Sequence, residues 1–146
     1  MQLLQFIVPL DALEAIAPAL PAVILVLVLA NMATRFLGHR AHVRQARDDD
    51  PELTRYTPHT LTSGALVVAS LLYLVVAPHG GMVMSVLVLG MFVADFFEFE
   101  ARQVEARNKM TVERPKGGLA ASVLVLLYAA FQSLFFLIAD VWTQII

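Results

Sequence analysis

The 146-residue chain contains no cysteine, and all ten of its lysine and arginine residues fall within two short windows, 35–55 and 102–116. The first absence removes disulfides, thiolate metal sites and cysteine nucleophiles together. The second leaves long stretches with no basic residue at all. Polar residues are scarce overall: 15% of the chain is charged against 59% hydrophobic, too little polar surface for an ordinary soluble domain. Glycine-rich phosphate loops, nucleophile elbows and zinc-protease helices are also missing. No enzymatic activity and no cofactor is therefore expected. Residues Met1 to Leu10 carry no lysine or arginine, so the start of the chain does not read as a cleaved signal peptide.

What is present is a series of apolar runs, each long enough to cross a bilayer of about 30 Å. They predict an all-α, four-helix transmembrane bundle made of helical hairpins, one integral membrane domain over 1–146. The spans are placed at about 21–37, 58–77, 82–99 and 119–140, with loops at about 38–57 and 100–118. Both basic windows fall on those loops, except Arg35 at the end of the first span. Because cytoplasmic loops accumulate Lys and Arg, the expected location is a cell membrane, with both loops inside and both termini outside.

Local signals refine the boundaries. Pro9 to Leu20 reads as a short amphipathic stretch, with Asp11 and Glu14 spaced like an N-cap and its reciprocal partner. The run Asp48-Asp49-Asp50-Pro51 should end any helical extension of the first span and leave a loose loop. Thr57-Pro58 has the pattern of an N-cap and first helical residue. His79-Gly80-Gly81 should form a tight hairpin that sets the second and third spans side by side. Nothing from Asp95 to Lys109 breaks a helix, and the pairs Glu98/Arg102 and Glu105/Lys109 have the favourable i, i+4 order. The third helix should thus project to about Asn108. Ser63, Ser70 and Ala77 on one span, and Ser122, Ala129, Ser133 and Asp140 on another, form small or polar faces expected inside the bundle. Gly90 and Ala94 make a small-xxx-small pair, a close-packing signal.

Asp95 is the strongest candidate for function. A carboxylate at membrane depth costs a few kcal/mol unless protonated, hydrated or paired. With Glu98 one turn away it offers an ion or proton site. The competing expectation is that the helix is already leaving the bilayer at the Phe96, Phe97 and Phe99 belt, so that Asp95 opens an interfacial charge stripe continuing through Glu98, Arg102 and Glu105. That interfacial reading is the expected one. Arg35 should reach from its span end to water. His39 and His42 lie at i, i+3 but among basic residues that repel a metal, and His59 and His79 sit at opposite ends of one span, unsuited to a haem. No metal site is expected.

Each basic window, taken with the residues that adjoin it, is nearly balanced by acids: Asp48, Asp49, Asp50 and Glu52 for one, and Glu98, Glu100, Glu105 and Glu113 for the other. Nucleic-acid binding and strong attraction to anionic lipid are correspondingly unsupported. The partners expected are the bilayer and other membrane subunits or further copies of the chain. The arginine bias over lysine, the Asp48-Asp49-Asp50 run and the Val/Leu/Ala-rich spans give an overall style that resembles the small multi-pass membrane proteins of haloarchaea. That resemblance implies a plasma membrane and no particular activity. Small multidrug transporters also have four short spans, but their essential glutamate lies within the first one, whereas Glu14 here precedes it. The functional expectation is a non-enzymatic accessory or scaffold subunit, with a small cation- or proton-coupled transporter or channel subunit using Asp95 and Glu98 as the alternative.

Overall fold

The computed structural model describes residues 9–145, except the side chains of 136–138 and 140. A short helix α1 (Leu10–Ile16) and a 3-10 turn (Ala17–Ala19) lead into α2 (Leu20–Gln45), followed by α3 (Thr57–Val76), α4 (Pro78–Arg107) and α5 (Lys116–Ile145). Four helices are long and apolar enough to cross a membrane. Successive long helices pack side by side and α5 returns to α2, closing a ring in which α2 and α4 face each other across the diagonal.

Two loops, 46–56 and 108–115, lie at one end, where Lys109 Nζ donates to the carbonyls of Asp48 and Asp49 at 3.1 and 2.8 Å. The α3/α4 turn lies at the other, the hairpin end. That turn is tighter than the sequence suggests: α4 begins at Pro78, so His79, Gly80 and Gly81 form its first turn and only Ala77 separates the helices. Gly81 makes this approach feasible, because a Cβ there would run into the Leu74 backbone.

Among apolar neighbours in lipid no hydrophobic force favours one helix over the bilayer, so close packing and small residues hold spans together. Ile24, Val28, Leu66, Met84, Val88, Met91, Val125 and Ala129 are fully buried along the bundle axis. Ser70 and Ser122 pack beside them as the small-residue faces lead one to expect, and Ser85 Oγ donates to the Ser70 carbonyl at 3.0 Å. Tyr73 donates to Gln132 Oε1 at 3.1 Å, and Gln132 donates to Tyr128 at 2.9 Å. Asp140 lies outside the described side chains. Val26, Val68, Val86, Phe97 and Leu127 point outward, the orientation a lipid-facing surface requires.

Several expectations are corrected. Gly90 is exposed with nothing near the position of a Cβ, so the Gly90/Ala94 pair does not mark a helix contact within the chain. Asp11 lies inside α1, whose N-cap is Pro9, and Thr57 is the first residue of α3 with Tyr56 as its N-cap; neither makes a side-chain cap. The loop after α2 is anchored: Leu53 is buried with Phe99 and Ala106, and Gln45 bonds Thr54 at both its side chain and its backbone. Helix α4 does project, to Arg107, but Lys109 leaves it at φ 57°, the left-handed conformation common just past helix ends. Its amine therefore reaches the 48–49 carbonyls rather than Glu105.

Candidate functional site

Arg35 does not reach out to water. It is 3% exposed, turned into the bundle, and crosses the diagonal from α2 to Asp95 on α4. The pairing is bidentate, with Nε donating to Oδ1 at 3.1 Å and Nη2 to Oδ2 at 2.6 Å. Such a planar fork matched to a carboxylate is the strongest geometry open to an ion pair. His59 on α3 completes the centre, its Nε2 3.2 Å from Asp95 Oδ2. The interfacial expectation for Asp95 is thereby overturned: its side chain is 15% exposed and held by groups from two other helices.

Behind His59 lies a row of uncharged polar groups. Its Nδ1 is 3.0 Å from Thr34 Oγ1, and Asn31 Nδ2 donates to Thr62 Oγ1 and Ser63 Oγ at 2.9 and 3.0 Å. The hydroxyl can accept from a protonated ring while its hydrogen goes to the Asn31 carbonyl 2.9 Å away, or turn that hydrogen to the Nδ1 of a neutral ring. The imidazole therefore has a partner in both charge states, with Asp95 at its other nitrogen.

Glycine shapes the fourth wall. Gly118, in the first turn of α5, lies so near that a Cβ would collide with the Asp95 carboxylate and stand 3.1 Å from Arg35 Nε. Its N–H donates to Glu98 Oε1 at 2.6 Å. The two carboxylates proposed from sequence are thus placed apart in role. Asp95 faces Arg35 and His59, while Glu98 faces the start of α5 and stands 3.9 Å from Arg102 Nη2.

A second polar layer continues toward the loops. Arg102 Nη1 donates to His42 Nδ1 at 3.0 Å, which leaves Nε2 as the protonated nitrogen donating to the Thr54 carbonyl at 2.9 Å. His42, with both nitrogens committed, is not disposed to join His39 on a metal. Arg55 lies over Phe99, 4.4 Å from the ring centroid, and 3.9 Å from Glu100.

These layers border a cavity of 410 Å³ among α2, α3 and α4. Arg35, Arg55, Arg102, His42 and His59 contribute to its lining, and Asp95 is the acidic residue there. Among the described residues two buried polar atoms of this end, Arg35 Nη1 and Glu98 Oε2, have no hydrogen-bond partner. Below Asn31 the fully buried Val28, Leu66, Val88, Met91 and Val125 close the bundle axis.

Sequence reading found Asp95 and missed Arg35, His59 and Arg102. The signal was available as a row: Asn31, Arg35, Gly38 and His42 repeat at four, three and four residues on α2, and Asp95, Glu98 and Arg102 at three and four on α4. Both rows follow one helix face.

Fold and centre together define a helical bundle of membrane-protein build with an ionised core at one end. The chain belongs to the family described as Domain of unknown function (DUF7313), whose model matches residues 2–146. Comparisons with curated proteins and with solved structures found no match.

Proposed function

We propose that the protein is a small multi-pass transporter or channel subunit in which protonation at the Asp95–His59 pair is coupled to binding of a small anion by Arg35. The observation that carries this reading is the bidentate Arg35–Asp95 pair closed by His59 inside a cavity whose other charged lining is basic. A bare cation is poorly served there, because Arg35 already neutralises the carboxylate. A proton is well served. Imidazole is the side chain whose charge changes nearest neutrality, and its two nitrogens connect Asp95 to the Thr34 hydroxyl. When a proton sits on the carboxylate, Arg35 loses its counter-charge and a buried guanidinium requires another anion. The unpaired Nη1 already has the capacity to hold one.

The apolar closure below Asn31 supports a second reading, an accessory or scaffold subunit in which the ion pair fixes helix register. Flux distinguishes the two. In proteoliposomes with an imposed pH gradient, the coupled reading expects uptake of chloride, nitrate or acetate that Asp95→Asn abolishes while the bundle stays folded. Flux of none of these above empty liposomes would leave the accessory reading standing, and potassium or sodium flux would overturn the anion assignment.

The basic loops favour an orientation with the loop end inside the cell and both termini outside. Single cysteines at positions 45, 79 and 108 report it, since the chain has no native cysteine. An impermeant thiol reagent should label 79 in intact cells; labelling at 45 or 108 would reverse the topology.

A further inference from the structure

The loop end carries a second concavity, a groove of 1010 Å³ between the end of α2 and the start of α5. We propose that it binds the phosphate headgroup of an anionic phospholipid, whose acyl chain lies against the neighbouring apolar wall. The groove shares Arg35 with the cavity described above, and its other basic residues belong to neither the Asp95 centre nor the transport reading.

Its charge is one-sided. Arg40, Arg44, Arg47, Arg114 and Lys116 line it with Arg35 and His39, and no acidic residue does. The contacts recorded for neighbouring acidic residues lie elsewhere: Lys109 bonds the backbone carbonyls of Asp48 and Asp49, Glu100 is 3.9 Å from Arg55, and Glu105 accepts from the Glu113 backbone at 3.0 Å. Among the described residues the groove's exposed basic side chains have no acidic partner within ion-pair distance.

Among the described residues the buried His39 Nδ1 of this lining has no hydrogen-bond partner, nor has Nη1 of the 3% exposed Arg35, which borders both the groove and the cavity. The start of the 30-residue helix α5 borders the groove through Pro115 and Lys116, while its Gly118 N–H is already taken by Glu98. Phosphate suits this set because it accepts from several guanidinium and ammonium groups at once.

The apolar wall decides between a lipid and free phosphate. Phe36, Leu37 and Leu119, 57%, 45% and 47% exposed, continue the groove into the lipid-facing surface, with Met32 deeper along α2. Arg40 stands 4.7 Å from the Phe36 ring centroid, at the junction between the two chemistries. A headgroup at the basic end would place its chain on these side chains.

The test uses delipidated full-length protein in detergent and native mass spectrometry with phosphatidylglycerol, phosphatidylcholine and inorganic phosphate. Arg40→Gln/Lys116→Gln is compared with Arg107→Gln/Lys109→Gln, which removes the same charge outside the groove. Each basic residue near a lipid surface is worth about a five-fold change in binding, so the groove variant should retain on the order of 25-fold less phosphatidylglycerol. The control should retain nearly the wild-type amount. Equal losses in both variants would overturn the site. Equal retention of phosphatidylcholine by the wild type would overturn the charge recognition. Inorganic phosphate binding as tightly as the lipid would overturn the acyl contact.

Discussion

The hairpin end and the loop end of this bundle are built from the same four helices by opposite rules. Toward the hairpin end, Ile24, Leu66, Met84 and Val125 are fully buried, and the polar contacts are between uncharged groups, Ser85 on the Ser70 carbonyl and the Tyr73–Gln132–Tyr128 chain. At the loop end, charged and hydrogen-bonding groups from α2, α3 and α4 meet in consecutive layers, and α5 contributes a glycine that leaves them room. An apolar interior holds helices by shape and tolerates small adjustments. An ionised one holds them by specific partners, each expensive to strand in a medium without water.

The contrast orders the expected effects of mutation. Arg35→Met strands Asp95 without its counter-charge, and a broken buried pair costs about 3–5 kcal/mol. Thermal unfolding in detergent should show that loss, and a change under about 1 kcal/mol, the scale of an exposed pair, would mean the pair is solvated. Gly118→Ala comes next. The added methyl meets the Asp95 carboxylate, and overpacking of this kind costs about 1–3 kcal/mol. The same change at Gly90, where nothing stands near, should leave stability unchanged or raise it by up to about 1 kcal/mol through helix propensity. Comparable losses at both glycines would erase the distinction.

The hairpin end should respond least. Ser85→Ala removes one interhelical hydrogen bond, a contact worth on average about 0.6 kcal/mol in membrane bundles. A loss exceeding that at Gly118 would move the critical packing to the wrong end.

The architecture was readable because its signals are local. Apolar run length places the spans, Pro51, Pro78 and Pro115 punctuate them, and the unbroken 95–107 segment forecasts the projecting end of α4. Small corrections came where two signals overlap: glycines that suggest a turn at 79–81 instead permit a tight helical start. The centre was only partly readable because its partners are not local. Arg35 and Asp95 are 60 residues apart and on diagonal helices. An arginine near a span end has an ordinary explanation in reaching water, and an aspartate beside three phenylalanines has one at the interface. Each residue alone favours the exterior, and only the two polar rows taken together point inward. Net charge along a stretch of chain likewise says nothing of which side chains share a groove.

A double-mutant cycle on Arg35→Met and Asp95→Leu, read as unfolding free energy in detergent, tests the central claim most directly. If the two side chains form one buried unit, each single change is severe, the double is far milder than their sum, and the coupling is at least about 1.5 kcal/mol. If the changes add to within about 0.5 kcal/mol, the charges do not depend on each other and the ionised core described here does not exist.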